Sequence, residues 1–295
     1  MARNVKVSTV SFLTSEGSTT VEANMIEGDR IIELVLAAKP DIVCFPELFP
    51  IVNVCKGEIG KRAEEIQRMT LEWASKRARQ GHTYLIVPTL EEAAGHLYNT
   101  AFLIDRRGDI LGKYRKTHLA PEEKNFFCVD TPGDTYPVFE TDFGKIAIMT
   151  CMDVHYPEVA RIYALEGAEI LFWPTVAYGP TEEFLHIALR SRAIDNQLFC
   201  VASNYVNVPY LPGKLMGRAA IIGLDGKYRA DTGNRPGVAT AVVDLDEGYE
   251  MWYTGDIKMR FPTLRDTFMK TRRPETYGKI CERGCKVTAN RRDQI

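Results

Sequence analysis

One cysteine, Cys151, stands where a thiol could act as a nucleophile. The apolar run from Ile146 to Thr150 predicts a buried strand that ends at this residue. Pro157 and Glu158 then predict the beginning of a helix, because proline suits the first helical turn and acids suit its positive end. Backbone N–H groups at such a junction favour a thiolate and stabilise charge on a group bonded to it. The context therefore indicates covalent catalysis.

A glutamate and a lysine follow two other apolar strands and could assist that thiol. Glu47 lies in the run Phe-Pro-Glu-Leu-Phe-Pro, and Lys116 lies in Gly-Lys-Tyr-Arg-Lys-Thr-His-Leu. Cleaving the carbon–nitrogen bond of an amide or ureido group needs a nucleophile, a base and a positive group beside the developing oxyanion. The three residue types match these three needs.

The sequences of these runs closely resemble the signature motifs of the nitrilase superfamily of carbon–nitrogen hydrolases. The matching phrases are Phe-Pro-Glu-Leu, Tyr-Arg-Lys-Thr-His-Leu and Cys-x-Asp-x-x-Tyr-Pro-Glu, in this chain order. The resemblance extends from the first strand to about residue 270. It implies that Cys151 forms a thioester and that Glu47 carries the proton. It also implies that Lys116 and the backbone N–H of Met152 hold the oxyanion, and that Glu123 positions Lys116 or the water.

The residues after the nucleophile bear on the substrate. Met152 stands where true nitrilases have Trp, which favours hydrolysis of a small linear amide or N-carbamoyl compound. His155 matches a position near the substrate's carboxylate in some N-carbamoyl hydrolases, although a surface histidine in a turn explains it equally well. Tyr178 and Asn204 follow strand ends and are further candidates for substrate binding. A nitrilase that converts a nitrile to an acid and a catalytically silent binding member remain alternatives.

Several nearby residues have simpler explanations. Lys113 and Arg115 are expected to be solvated residues on the face of a strand, and Cys44 and Cys200 to be inert core thiols. The pair Cys281 and Cys285 has no second ligand pair, so no zinc site is expected. The resemblance likewise implies a reaction without cofactor or metal.

Composition excludes several classes of protein. The chain has 295 residues, of which 45% are hydrophobic and 26% charged, and its net charge is −2. This charge gives no electrostatic case for binding nucleic acid or an anionic membrane, and no apolar run is long enough to span a bilayer. Seven scattered cysteines favour a reducing compartment, so we expect a cytoplasmic protein. The resemblance implies a homodimer or a larger homo-oligomer.

Strands and helices alternate along the chain, which favours an α/β layered fold. The resemblance implies a four-layer α-β-β-α sandwich, with one hydrolase domain over residues 1–270 and a C-terminal tail over 271–295 that is exposed or contacts a partner subunit. The predicted strands are 5–12, 41–45, 84–88, 100–105, 110–114, 146–150, 169–173, 198–204, 219–224 and 238–244. The predicted helices are 20–38, 59–80, 157–166 and 182–196.

Overall fold

A computed structural model describes residues 2–13, 20–127, 135–177, 182–206, 217–249 and 263–282. For residues 182–185 it describes the backbone only. The chain divides into two compact units, Met1–Gly248 and Tyr249–Ile295. Among the described residues, no helix combines the length and the apolar character that crossing a membrane requires.

The first unit contains all of the described strands. They are β1 Asn4–Leu13, β2 Ile42–Cys44, β3 Tyr84–Ala93, β4 His96–Ile104, β5 Ile110–Arg115, β6 Val138–Glu140, β7 Lys145–Ile148, β8 Ile170–Pro174, β9 Phe199–Val206, β10 Ala220–Ile222, β11 Tyr228–Asp231 and β12 Gly237–Asp244. Its helices are α1 Val21–Ala37, α2 Lys56–Lys61, α3 Ala63–Gly81, α4 Pro157–Leu165 and α5 Glu182–Asn196.

These strands form two mixed sheets. The first has the order β5-β4-β3-β2-β1-β12, and the second has the order β6-β7-β8-β9-β10-β11. A short parallel pairing joins them, in which Ser11 to Leu13 of β1 lie beside Asn204 to Val206 of β9. Side chains also connect the sheets, because the Ser203 hydroxyl donates to the carbonyl of Cys44 in β2 at 3.1 Å.

Helices cover the outer faces of both sheets. Helix α1 contacts β1 and β12, and α3 contacts β3, while α4 packs on α5 and α5 contacts β9. The aromatic residues Phe12, Phe45, Phe49 and Trp73 belong to the hydrophobic core between the first sheet and its helices. The observed layers confirm the predicted α-β-β-α sandwich.

Most predicted elements are present, and the differences have local causes. The helix expected over 59–80 is two helices, since Arg62 leaves the helical conformation with φ −118° and ψ 17°. Strands β6 and β11 were missed because each is only three or four residues long. Cys151 begins a 3-10 turn, Cys151–His155, which the sequence did not predict, and the helix expected from Pro157 begins at that residue.

The second unit contains one described α-helix, α6 Leu264–Lys270, which the sequence pattern did not predict. The Thr263 hydroxyl caps its first turn by accepting a hydrogen bond from the backbone N–H of Asp266 at 3.1 Å. The boundary predicted between residues 270 and 271 stays a prediction.

Candidate active site

Cys151 occupies a strained turn after β7. Its φ of 45° lies in the left-handed region, which non-glycine residues adopt at a cost of about 1–3 kcal/mol and which recurs at active sites. The indole N–H of Trp173 donates to the carbonyl of Cys151 at 2.9 Å. The turn is also closed by Asp153, whose carboxylate accepts from the N–H of Thr150 at 2.8 Å. These bonds hold the thiol at the end of the strand.

Asp153 ties this turn to the segment that carries Lys116. Its carboxylate is fully buried and accepts from the Tyr114 hydroxyl at 2.7 Å. It also bonds the ring Nδ1 of His118 at 2.8 Å. Tyr114 and His118 flank Lys116 in sequence, so one buried carboxylate fixes the distance between the lysine segment and the cysteine turn.

The Lys116 ammonium lies between two carboxylates. Its Nζ is 2.7 Å from Oε1 of Glu47 and 2.6 Å from Oε2 of Glu123. The side chains of Lys116 and Glu47 are 1% and 2% exposed, so the pair is shielded from water. Glu123 is held in turn by the N–H of Ala120 at 2.8 Å. One cation therefore serves two acids in a buried setting.

Two further groups at this site were missed by the sequence analysis. The Asn99 amide donates to Oε1 of Glu47 at 2.8 Å and to Oε1 of Glu123 at 2.9 Å. The N–H of Val176 donates to the other oxygen of Glu47 at 2.7 Å, and its carbonyl faces the Cys151 thiol at 3.9 Å. A polar residue within the otherwise apolar strand Tyr-Asn-Thr-Ala-Phe-Leu-Ile was the available signal for Asn99. Val176 acts through its backbone, so its residue type carried no signal.

Electrostatics keep the lysine charged and the thiol neutral, so the expectation of a thiolate at this junction is wrong, because burial outweighs the effect of the backbone N–H groups. Burial, with the charge of Glu47 added, raises the pKa of the Cys151 thiol to about 12 against the opposing effect of Lys116. Burial acts to lower the pKa of Lys116, but interaction with Cys151 in its thiolate form and with the carboxylates of Glu47 and Glu123 outweighs burial and raises that pKa well above its usual value. A neutral thiol needs a base at the moment of attack, and Glu47 is the carboxylate joined to it through Val176.

A cavity of about 570 Å³ opens onto these groups, within the range of small-molecule sites. Cys151, Glu47, Lys116 and Glu123 all line it. Most of the remaining described wall comes from the residues that follow Glu47 and from those that follow Lys116. The side chains predicted to be catalytic therefore share one cavity.

The predicted substrate-binding residues lie in different places. Met152 is half-buried and His155 is exposed, and neither belongs to the described cavity wall. Burial and the nearby charge of Arg192 lower the pKa of His155. Asn204 is buried and its amide oxygen accepts from the N–H of Ala177 at 3.1 Å. Tyr178 falls outside the described residues. Their part in substrate binding stays a prediction.

Two neighbours of Lys116 were predicted to be solvated, which is wrong for Arg115 but holds for Lys113, whose side chain is 45% exposed. Lys113 and Arg115 both bind the buried carboxylate of Glu91, with Nζ and a guanidinium nitrogen 2.5 Å and 2.7 Å from its Oε1. Arg115 is only 17% exposed, and its guanidinium lies 3.8 Å from the ring centre of Tyr98. The partner of both cations, Glu91, is more than 20 residues away in sequence, so local pattern could not reveal it.

Several known proteins are similar to this chain in sequence. A probable nitrilase of Schizosaccharomyces pombe is 30% identical over 270 residues, covering 88% of this chain and 93% of the relative. Omega-amidase NIT2-A of Xenopus laevis is 30% identical over 271 residues, covering 88% and 94%. N-carbamoylputrescine amidase of Arabidopsis thaliana is 31% identical over 268 residues, covering 83% and 88%.

A solved structure shares the fold. The carbon-nitrogen hydrolase from Helicobacter pylori G27 matches with a TM-score of 0.79 at 24% identity, covering 96% of this chain and 100% of that one. The family model described as carbon-nitrogen hydrolase matches residues 10–253. With this match over most of its length, the chain belongs to the carbon–nitrogen hydrolases of the nitrilase superfamily, a family of enzymes.

Proposed function

We propose that this protein hydrolyses a small linear amide or N-carbamoyl compound through a thioester on Cys151. The observation that carries the proposal is the single cavity onto which Cys151, Glu47 and Lys116 all open. The amidase relatives support the amide and N-carbamoyl classes. The cysteine supplies a nucleophile, the glutamate a proton acceptor and the lysine a fixed positive charge.

In the first half of the reaction, the Cys151 sulfur attacks the carbonyl carbon while its proton passes to Glu47. The carbonyl oxygen becomes an oxyanion, which the ammonium of Lys116 and the N–H of Met152 stabilise. Glu47 then gives the proton to the departing nitrogen, the carbon–nitrogen bond breaks, and ammonia or an amine leaves. The acyl or carbamoyl group remains on sulfur.

In the second half, water attacks the thioester carbon and gives a proton to Glu47. The oxyanion forms again beside Lys116, the carbon–sulfur bond breaks, and the thiolate regains the proton. Glu123 keeps Lys116 in position throughout, because its hydrogen bond at 2.6 Å opposes a swing of the ammonium toward Glu47 alone. Glu47 carries one proton in each half, so no further acid or base is needed.

The proposal is tested by comparing wild type, Cys151→Ala and Cys281→Ala on a panel of amides, N-carbamoyl amines and nitriles, with mass spectrometry to detect an acylated Cys151. Cys281 is an exposed free cysteine of the second unit and controls for thiol removal. We expect ammonia release from wild type and Cys281→Ala and none from Cys151→Ala.

Equal turnover by Cys151→Ala would contradict the proposed nucleophile, and complete loss of activity on chelation would contradict a reaction without metal. Acid formation from nitriles but not from amides would favour the nitrilase alternative. A chain that binds amides without turning them over would be a silent binding member.

We also propose a homodimer or larger homo-oligomer in the cytoplasm. Exposed apolar residues on the outer helices support an interface, namely Leu165 of α4 and Ile187 and Ile194 of α5, which are 44%, 55% and 45% exposed. The sequence beyond Tyr253 is also rich in apolar residues that an interface would cover, but Ile257, Met259 and Phe261 of this segment lie outside the described residues. The free state of the five described cysteines supports a reducing compartment. Light scattering at micromolar concentration tests the oligomer, and a monomer would contradict it.

A further inference from the structure

The wall of the cavity beyond the reactive groups is mostly apolar, with Asn53, Lys56 and Glu122 as its polar or charged side chains. Leu48, Ile51, Val54 and Ile59 line it on the side that follows Glu47, and Phe126 and Phe127 line it on the side that follows Lys116. An apolar wall favours an apolar ligand, because burying such surface on both partners removes it from water. This wall therefore carries information about the substrate.

The wall is also firmly supported. Ile51, Val54, Ile59 and Phe127 are each at most 8% exposed and belong to one hydrophobic cluster with residues of α3 and β3. The Asn24 amide fixes the segment between Glu47 and α2 by donating to the carbonyls of Pro50 and Val52 at 2.7 and 2.8 Å. A preformed apolar surface accepts a chain of matching character without a large ordering cost.

The charges of the described wall leave no buried partner for a charged substrate tail. Glu47, Lys116 and Glu123 bind one another, and the other two charged residues of the wall, Lys56 and Glu122, are exposed. A carboxylate or ammonium drawn against the apolar side chains would lose hydration without a partner, which is costly. His155, expected to meet an acidic tail, does not belong to the described wall.

From these contacts we infer that the enzyme selects amides and N-carbamoyl amines that carry an uncharged apolar chain of several carbons, held against Ile51, Val54, Phe126 and Phe127. The inference rests on the proposed function and specifies its substrate class. The specificity arises from the segments after Glu47 and after Lys116, which carry both the chemistry and the wall.

The first experiment measures kcat/KM for a series of straight-chain amides from acetamide to hexanamide, and for two charged analogues of hexanamide, adipic acid half-amide and 6-aminohexanamide. Each added methylene should raise kcat/KM about fourfold, which corresponds to ~0.8 kcal/mol for burying one CH₂ group. The kcat/KM for hexanamide should exceed that for each charged analogue at least about tenfold. N-butylurea against N-(4-aminobutyl)urea repeats the comparison for N-carbamoyl compounds.

The second experiment removes part of the wall. Phe126 is half-buried, so Phe126→Ala should fold, and it should lower the ratio of kcat/KM for hexanamide to kcat/KM for acetamide about tenfold. Phe126→Leu, which keeps an apolar side chain, should retain most of the preference. Phe143→Ala is the matched control, since Phe143 is also half-buried but packs on Tyr84 outside the cavity wall.

Two failures can be told apart. If none of the amides or ureas is hydrolysed, the proposed function itself fails. If they are hydrolysed with no rise along the series, or with a preference for a charged tail, the proposed function stands and the inferred substrate class is overturned. A preference for the acidic tail that disappears in Lys56→Ala would likewise overturn it and assign selection to that exposed lysine.

Discussion

Two clusters of acids and bases, each containing a buried carboxylate, take their cations from one stretch of chain, 113–116, and they differ in their balance of charge. Lys113 and Arg115 of β5 share a single carboxylate, that of Glu91. The next residue, Lys116, serves two carboxylates, those of Glu47 and Glu123. Counted over these residues, the first cluster holds two cations and one acid, and the second holds one cation, two acids and a thiol at its edge.

The balance sets what each cluster can do with a proton. Burial acts to raise the pKa of Glu91, but hydrogen bonds from Arg115, Lys113 and Thr100 outweigh it and lower that pKa to about 2. Glu91 therefore stays ionised and serves as an anchor. In the other cluster, burial and then the charge of Glu47 keep the pKa of Cys151 high, so a proton is available on the thiol beside a carboxylate that can receive it. A carboxylate whose oxygens are bound by two cations, as in Glu91, suits a structural role. A cluster with more acids than cations suits proton transfer.

The same substitution should have opposite consequences in the two clusters. Glu47→Gln keeps the size of the side chain but cannot carry a proton, so we expect kcat/KM to fall at least about 100-fold, as is typical for a general acid–base residue. Glu91→Gln should leave activity within about twofold and lower the free energy of unfolding by about 2 kcal/mol, because three donors lose their charged acceptor. Steady-state kinetics and urea unfolding measure both variants.

Each of the two variants serves as the control for the other. A Glu47→Gln protein with nearly normal turnover would place the base elsewhere. A Glu91→Gln protein that loses activity as severely as Glu47→Gln would show that the two clusters are not separate in function.

An exchange of cations sharpens the comparison. Lys116→Arg should lower kcat/KM at least about tenfold, since the planar fork of arginine cannot replace a compact ammonium between two carboxylates. Arg115→Lys makes the reverse change in the other cluster and should leave turnover within about twofold, with a loss of stability below ~1 kcal/mol from the contact with Tyr98. Full activity in Lys116→Arg would mean that any cation at that position suffices.

The sequence predicts the candidate catalytic residues, but it does not predict the ion pairs that surround them. Glu47, Lys116, Glu123 and Cys151 follow from motifs that are contiguous in the chain, and the structure brings them to one cavity. The pairing of Glu91 with Arg115 depends on strands that meet only in the folded protein. The sequence pattern therefore predicted, wrongly, that Arg115 is solvated. Local pattern identifies residue types, whereas charge balance is a property of the assembled sheet.

The layers of the fold show a similar division. Long periodic helices such as α1 and α5 were predicted to within one residue at each end. The short strands β6 and β11 depend on pairing with β7 and β10, which no local signal reports. The cavity wall was not predicted because its residues follow two different strands and meet only through the hydrophobic cluster that contains Ile51 and Phe127.

Asn99 tests, with a smaller expected effect, how the two acids beside Lys116 are held in position. Its amide is the neutral donor shared by Glu47 and Glu123, so Asn99→Ala removes a bond from each carboxylate and leaves Lys116 as their common partner. We expect kcat/KM to fall about tenfold, because, of the two lost bonds, only the one to Glu47 bears directly on proton transfer, and one hydrogen bond to a charged group contributes about 1.5 kcal/mol. Asn196→Ala is the control, because Asn196 is equally buried and donates to the carbonyl of Arg192 in α5. A similar loss of activity in both variants would indicate general destabilisation instead of a role in positioning.

The smallest expected effect is the pH dependence of stability that the ionisation of Glu91 contributes. Because folding lowers the pKa of Glu91 from 4.5 to about 2, its ionised form stabilises the protein above pH 4.5, and this contribution is lost as the pH falls toward 2. The difference in unfolding free energy between wild type and Glu91→Gln should therefore be largest near pH 7 and should narrow between pH 4.5 and pH 3. Urea unfolding followed by tryptophan fluorescence at each pH measures it. A difference that stays constant from pH 7 to pH 3 would mean that Glu91 acts through packing and not through its charge.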